Sequence, residues 1–155
     1  MNIVSDASPL CYLVLIGHAQ VLPGLYGSVC TTETVLAELR HADAPPAVRT
    51  WAFAPPTWLK IHTDPTLRDE SLVNLDAGER TVLLLAGHLK ADVVLLDEAA
   101  ARALARHRGL AVAGTLGVLR EAAQAGLLKL TDALDLLRRT NFRASPELWR
   151  SLYAR

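Results

Sequence analysis

Asp6 closes a short apolar segment, Ile3-Val4-Ser5, and Asp97 closes a second, Val93-Val94-Leu95-Leu96, about ninety residues later. In an open α/β sheet, the rim at the carboxyl ends of the strands is where ligands and ions collect. Glu38 and Glu79 fall on segments with helical spacing that can reach the same rim. Four carboxylates in one cleft repel one another unless a divalent cation neutralises them. Mg²⁺ and Mn²⁺ prefer such hard oxygen ligands and usually keep several waters. An ion held this way polarises a phosphoryl oxygen, activates a water and neutralises the leaving oxygen, best as a pair. The pattern therefore points to metal-assisted hydrolysis of a phosphodiester.

Each acid also has a local structural explanation. Asp6 precedes a helix, but Ser8 before Pro9 reads as the better N-cap, which leaves Asp6 without a structural task. Asp97 would itself cap the helix that follows, and Glu98 and Arg102 are spaced i,i+4 to pair. Asp76 and Glu79 imitate a capping box. Glu79 nevertheless shares a face with Val82, Leu83 and Ala86, and a carboxylate on a buried face wants a cation. Gly78 beside it costs helix stability and permits close backbone approach. Glu38 flanks the stripe Val35, Leu36 and Leu39, where a snorkelling surface Glu is the default.

Several classes are excluded. The five histidines, His18, His41, His62, His88 and His107, are scattered, so zinc spacing is absent. The chain lacks a Gly-x-Gly-x-x-Gly, a Walker loop and a Gly-x-Ser-x-Gly. No apolar run reaches membrane-span length, and Met1–Asp6 does not read as a signal peptide, so a cytoplasmic location is expected. Cys11 and Cys30 sit in apolar surroundings and read as free buried thiols. The net charge of zero hides an asymmetry: residues 1–100 carry 6 Lys/Arg against 12 Asp/Glu, and residues 101–155 carry 10 against 4. A polyanion could use both parts, cations on its phosphates and carboxylates on the ion. For any single Arg, an ordinary solvated helix face is the competing explanation.

The 155 residues suffice for one domain with a substantial core. Strands are expected at 2–5, 28–31, 58–62, 92–96 and 110–112. Helices are expected from Ser8 to about Ile16, at 18–25, 33–41, 77–89, 98–108, 115–125, 132–140 and 145–154. Residues 45–56, with four prolines, read as a connector with at most a short helix, and Asp64–Leu75 as a polar loop. Strands alternating with helices predict a three-layer α/β/α sandwich around a mostly parallel sheet, with C-terminal helices from about residue 131.

Ile3-Val4-Ser5-Asp6-Ala7-Ser8-Pro9-Leu10, Glu38, Leu75-Asp76-Ala77-Gly78-Glu79, Leu95-Leu96-Asp97-Glu98 and Gly114-Thr115-Leu116-Gly117-Val118-Leu119 occur in that order. Together they resemble PIN-domain ribonucleases. The resemblance is closest to a prokaryotic branch marked by the Asp-x-Gly-Glu and Gly-Thr-Leu-Gly-Val-Leu signatures and taken to be VapC-like toxins. It implies a PIN-like fold over residues 1–155 and a catalytic, metal-binding quartet of Asp6, Glu38, Glu79 and Asp97. Ser8 and Thr115 match rim hydroxyls that contact a metal-bound water or the phosphate, and Arg102 is left available to the substrate. Relatives often carry Asp-Asp where this chain has Asp97-Glu98, and Gly-Arg where it has Ala101-Arg102. The implied activity is endonucleolytic hydrolysis of single-stranded RNA with Mg²⁺ or Mn²⁺. The implied partners are RNA, a small antitoxin and a second copy of the chain.

The main alternative is a non-catalytic α/β regulatory or nucleic-acid-binding module with a vestigial metal site. A phosphatase using Asp6 as nucleophile is disfavoured, because Ser8 stands where that chemistry wants a second Asp. A 5′ nuclease is chemically close, but a chain of this length is not expected to hold the extra helical elements that grip duplex. Phe142, Trp149 and Tyr153 in the tail are expected to pack into the core.

Overall fold

The computed structural model describes residues 1–154. Five strands form one all-parallel sheet flanked by helices: β1 (Ile3–Ser5), β2 (Val29–Thr32), β3 (Leu59–His62), β4 (Val93–Leu95) and β5 (Val112–Ala113). Their order is β3-β2-β1-β4-β5. The chain leaves β1 toward β2 and β3, then crosses back to lay β4 on the other side of β1. Direction therefore reverses between β1 and β4, the switch point where such sheets open a crevice. The register Ser5 to Leu95, with the Asp6 N–H donating to the Leu95 carbonyl at 3.0 Å, brings the ends of those two strands together. The central strands β1 and β4 are apolar and covered by neighbouring elements, with Ile3, Val4, Val94 and Leu95 almost wholly buried, while the edge strand β3 keeps Lys60 and Ile61 exposed.

The helices are α1 (Ala7–Leu15), α2 (Val21–Tyr26), α3 (Glu33–Leu39), α4 (Pro46–Phe53), α5 (Ala77–Leu89), α6 (Ala99–His107), α7 (Thr115–Gln124), α8 (Leu130–Arg138) and α9 (Pro146–Tyr153). Thr32 caps α3 by accepting from the Val35 N–H, and Ser145 caps α9 by accepting from the Leu148 N–H. Positive φ at Gly109 and Gly126 turns the chain out of α6 and α7. The proline-rich connector does form a helix, α4, with Pro46 in its first turn. Its Val48 and Ala52 are buried, so packing stabilises what the composition alone leaves open. The polar loop at 64–75 contains one 3₁₀ turn, Glu70–Leu72, anchored by buried Leu72.

One expectation is overturned. Ser8 is not the N-cap of α1: the helix begins at Ala7, Asp6 occupies the cap position, and Ser8 lies half-buried inside the first turn. The strand runs into the helix without a spare residue, which moves the cap back by two. The Asp6 side chain still makes no capping hydrogen bond.

The C-terminal helices close the core through buried Leu134, Leu137 and Leu152. Tyr12 donates to Asn141 at 2.9 Å and meets the Phe142 ring edge-on at 5.0 Å. The Arg138 guanidinium lies 5.4 Å from the Trp149 ring centre and 5.7 Å from that of Tyr153. Phe142, Trp149 and Tyr153 thus pack inward as expected, each half-buried. Cys11 and Cys30 are free thiols, partly rather than fully buried. Among the described residues, no helix is long and apolar enough to cross a membrane.

Candidate functional site

All five strands point the same way, so their carboxyl ends make one rim. From β2 across to β5 that rim carries Glu38 on α3, Asp6 after β1, Asp97 after β4, and Gly114-Thr115 after β5. Beneath it, Ser5 donates to the Asp6 carbonyl at 2.9 Å, Thr31 donates to the Ser5 carbonyl at 2.7 Å, and Thr32 and Thr81 share a hydrogen bond at 2.9 Å. These buried hydroxyls tie the ends of β1 and β2 to each other and to α5.

Asp6 is only 7% exposed, and its Oδ1 is buried with no hydrogen-bond partner. A buried, unpartnered carboxylate oxygen is rare in a folded protein and calls for a partner. Burial pushes its carboxyl up from an ordinary 3.8 to about 7, against the pull of the Ala7 N–H, and Asp76, Glu38 and Glu79 add to the rise. Those three acids thus face Asp6 closely enough for their charges to be felt.

Glu79 is 5% exposed and is held in a true capping box: Asp76 accepts from the Glu79 N–H at 2.8 Å, and Glu79 Oε1 accepts from the Asp76 N–H at 3.1 Å. Burial raises its carboxyl and the Asp76 N–H offsets part of that, with the charges of Asp76 and Glu98 raising it further. The local structural explanation and the inward placement hold together, since one oxygen is engaged in the cap.

Glu38 presents much of its side chain to solvent, but its head is tucked against Gly78. A Cβ at Gly78 would lie 2.5 Å from Glu38 Oε1. The missing side chain is the space the carboxylate fills. Burial of the head and the charge of Asp76 push the Glu38 carboxyl up, and the Gly78 N–H draws it down. Glu38 stays exposed at the surface, but its head turns back against α5 because glycine leaves room for it.

Asp97 stands apart from the other three. It does not cap α6, whose N-cap is Glu98 with no side-chain capping bond. Its carboxylate reaches to the start of α7, accepting from the Thr115 N–H at Oδ1 and the Thr115 hydroxyl at Oδ2, both at 2.7 Å. Burial raises its carboxyl, while both Thr115 bonds and the Arg102 charge lower it. Gly114 makes room here too: a Cβ would lie 2.8 Å from Asp97 Oδ1 and 3.3 Å from Arg102 Nη1. Two further expectations fail at this point. Thr115 is fully buried with its hydroxyl committed to Asp97, so it is not a free rim hydroxyl. Glu98 and Arg102 form no ion pair among the described residues; Arg102 leans toward Asp97 instead, and its Nε is buried without a partner.

Among the described residues, no three His, Cys, Asp or Glu side chains are arranged to enclose an ion by themselves. Capping and the Thr115 bonds hold Glu79 and Asp97 partly elsewhere. A divalent ion of the Mg²⁺ type needs only one or two direct carboxylates and fills its shell with water. The orphaned Asp6 oxygen, with Glu38 and Glu79 facing it, fits such a hydrated ion. Asp76 is the acid that sequence reasoning passed over as a cap only. Its signal was the same Asp-x-x-Glu pattern, which serves the helix start and the cluster at once.

A parallel sheet with buried acids at its switch point defines an α/β protein of the acidic-rim type. A family model described as PIN domain matches residues 2–155. The chain belongs to the PIN-domain family, whose members are generally nucleases that use divalent metal ions. No curated protein matches the chain.

Proposed function

We propose that this protein is a metal-dependent endoribonuclease that hydrolyses phosphodiesters of single-stranded RNA, acting as the toxin of a toxin–antitoxin pair. Asp6 carries the reading: a buried carboxylate with an unpartnered oxygen, at the switch point, facing three other acids. Mg²⁺ or Mn²⁺ bound there supplies Lewis-acid polarisation of the phosphate and an activated water. Asp6 would hold the ion directly, with Glu38 and the free oxygen of Glu79 contributing from α3 and α5. Asp97, fixed by Thr115, would hold its waters or a second ion. Ser8, in the first turn of α1, is within the same rim and would orient a water. The four acids bind and orient; none need become a covalent nucleophile. A small antitoxin and a second copy of this chain are the proposed protein partners, and exposed Leu67 and Val73 give such a partner apolar surface.

The test incubates purified protein with structured and unstructured RNAs in Mn²⁺, Mg²⁺ or EDTA, beside Asp6→Asn. Cleavage that needs the ion and disappears in the variant is expected. Cleavage that survives the substitution would sink the reading. A second reading, a non-catalytic nucleic-acid-binding module, draws on the engagement of Glu79 and Asp97 by the cap and by Thr115. It predicts RNA binding without cleavage and no Mn²⁺ binding.

A further inference from the structure

A cleft of about 580 Å³ opens at Asp97 and runs between α7 and the segment 142–152. Arg102, Arg120 and Arg143 line it, with Phe142 and Leu116 among its apolar walls. Outside the cleft, Arg108 pairs with Asp69 at 2.7 Å, Arg150 with Glu147 at 3.8 Å, and Arg138 stacks on Trp149. Among the described residues, none of the three cleft arginines makes an ion pair. The carboxylate of Glu121, also on the wall, accepts from Tyr26 at 2.9 Å. Arg102 has a buried Nε with no acceptor. Three guanidiniums stand against two carboxylates, Asp97 and Glu121, both already hydrogen-bonded, and this excess of positive charge in a cleft that empties onto the candidate site wants a chain of anions.

We propose that this cleft is the channel for the substrate strand: Arg102, Arg120 and Arg143 take successive phosphates of a single-stranded nucleic acid, and Phe142 offers its ring to a base. The identity of the strand as RNA rests on the nuclease reading above. Continuity with Asp97 favours a nucleic acid over an acidic protein segment, because a strand lying here would pass its next phosphodiester to the acids.

The experiment measures binding of a short fluorescent single-stranded RNA by anisotropy, in EDTA so that nothing is cut. Wild type is compared with Arg120→Ala, Arg143→Ala, the double variant and, as a control outside the cleft, Arg106→Ala. The double variant should weaken binding by at least about tenfold and flatten the dependence of log K on log salt by about 0.7 per lost phosphate contact. The control should stay within about twofold on the same measure. Unchanged binding in the double variant overturns the channel, as does a wild type that ignores RNA but captures a Glu-rich peptide. The same proteins are then assayed with Mn²⁺. Wild-type cleavage matched in kcat/KM by the double variant overturns the channel and leaves the nuclease reading standing. Arginine-dependent binding without any cleavage does the reverse.

Discussion

At the ends of β2 and β1, acid faces acid: burial raises the carboxyls of Asp6, Glu38 and Glu79, and the charges of neighbouring acids, Asp76 among them, add to the rise. At the ends of β4 and β5, acid faces donors: Asp97 rests on two Thr115 hydrogen bonds and the charge of Arg102, and the cleft beyond it is walled by arginine. Both halves use a glycine to bring a carboxylate against a helix start, Gly78 for Glu38 and Gly114 for Asp97. The first half leaves a buried Asp6 oxygen without a donor among like charges, whereas the second gives its carboxylate donors, although burial still raises Asp97. The crowding of like charges thus lies on the side where the ion is proposed, while the other side carries the arginines proposed to meet an anionic strand.

The comparison breaks most visibly at Asp6. Asp6→Asn should lower metal-dependent cleavage by about a thousandfold, the scale of several kcal/mol of lost charge stabilisation. Loss of less than tenfold, in kcat measured at saturating RNA, would show that the acidic half does not carry the chemistry.

Stability against pH is the next largest effect. The Asp6 carboxyl is raised on folding, so the native state holds its proton to higher pH than the unfolded chain. In EDTA the full stability is present below about pH 4, and it falls as pH rises toward about 7, where the unfolded chain is already ionised. The rise from 3.8 to about 7 corresponds to a loss of about 4 kcal/mol. Glu38, Glu79 and Asp97 shift in the same direction and add to the slope. Denaturant titrations from pH 4 to 8 should show the fall, and Asp6→Asn or added Mn²⁺ should remove most of it. A stability that climbs over this range would contradict the buried, unpaired state of Asp6.

Gly78→Ala sharpens the contrast between site and scaffold. The new methyl displaces the flexible head of Glu38, while α5 gains about 1 kcal/mol of helix propensity. Activity should drop by about 10- to 100-fold, the scale seen when a supporting group of a metal site is lost, with no fall in Tm. An active Gly78→Ala protein would remove Glu38 from the site.

Smaller effects test the donor-rich half. Thr115→Val leaves the backbone N–H on Asp97 but removes the hydroxyl, and should cost about 1 kcal/mol. Tyr12→Phe should cost about 0.5–1 kcal/mol through the lost bond to Asn141, with cleavage intact. Calorimetry of the two variants beside cleavage rates separates them, because only the Thr115 change should reach the chemistry.

Ordered motifs and local periodicity were enough to read the alternating elements, the parallel sheet, the cap at Asp76, and the acids Asp6, Glu38, Glu79 and Asp97 as a group worth watching. These are local matters: an apolar run, a cap three residues ahead of its amide, a proline in a first turn. The sequence could not say that Asp97 would reach past its own helix to Thr115, because that hydrogen bond spans two elements whose spacing is set only when β4 and β5 pair. Nor could it say that Glu38 would fold back onto Gly78, a contact forty residues away along the chain. Ser8 misled because cap propensity is a residue property, whereas the start of α1 is fixed by where the Asp6 N–H meets Leu95. The arginine cleft was invisible for the same reason. Arg102, Arg120 and Arg143 look like any solvated helix charges until Tyr12 and the core anchor the C-terminal segment and turn them toward one space. Residue types determined what chemistry this chain can offer, and long-range packing decided which acids share a charge and which cations are left free to meet a substrate.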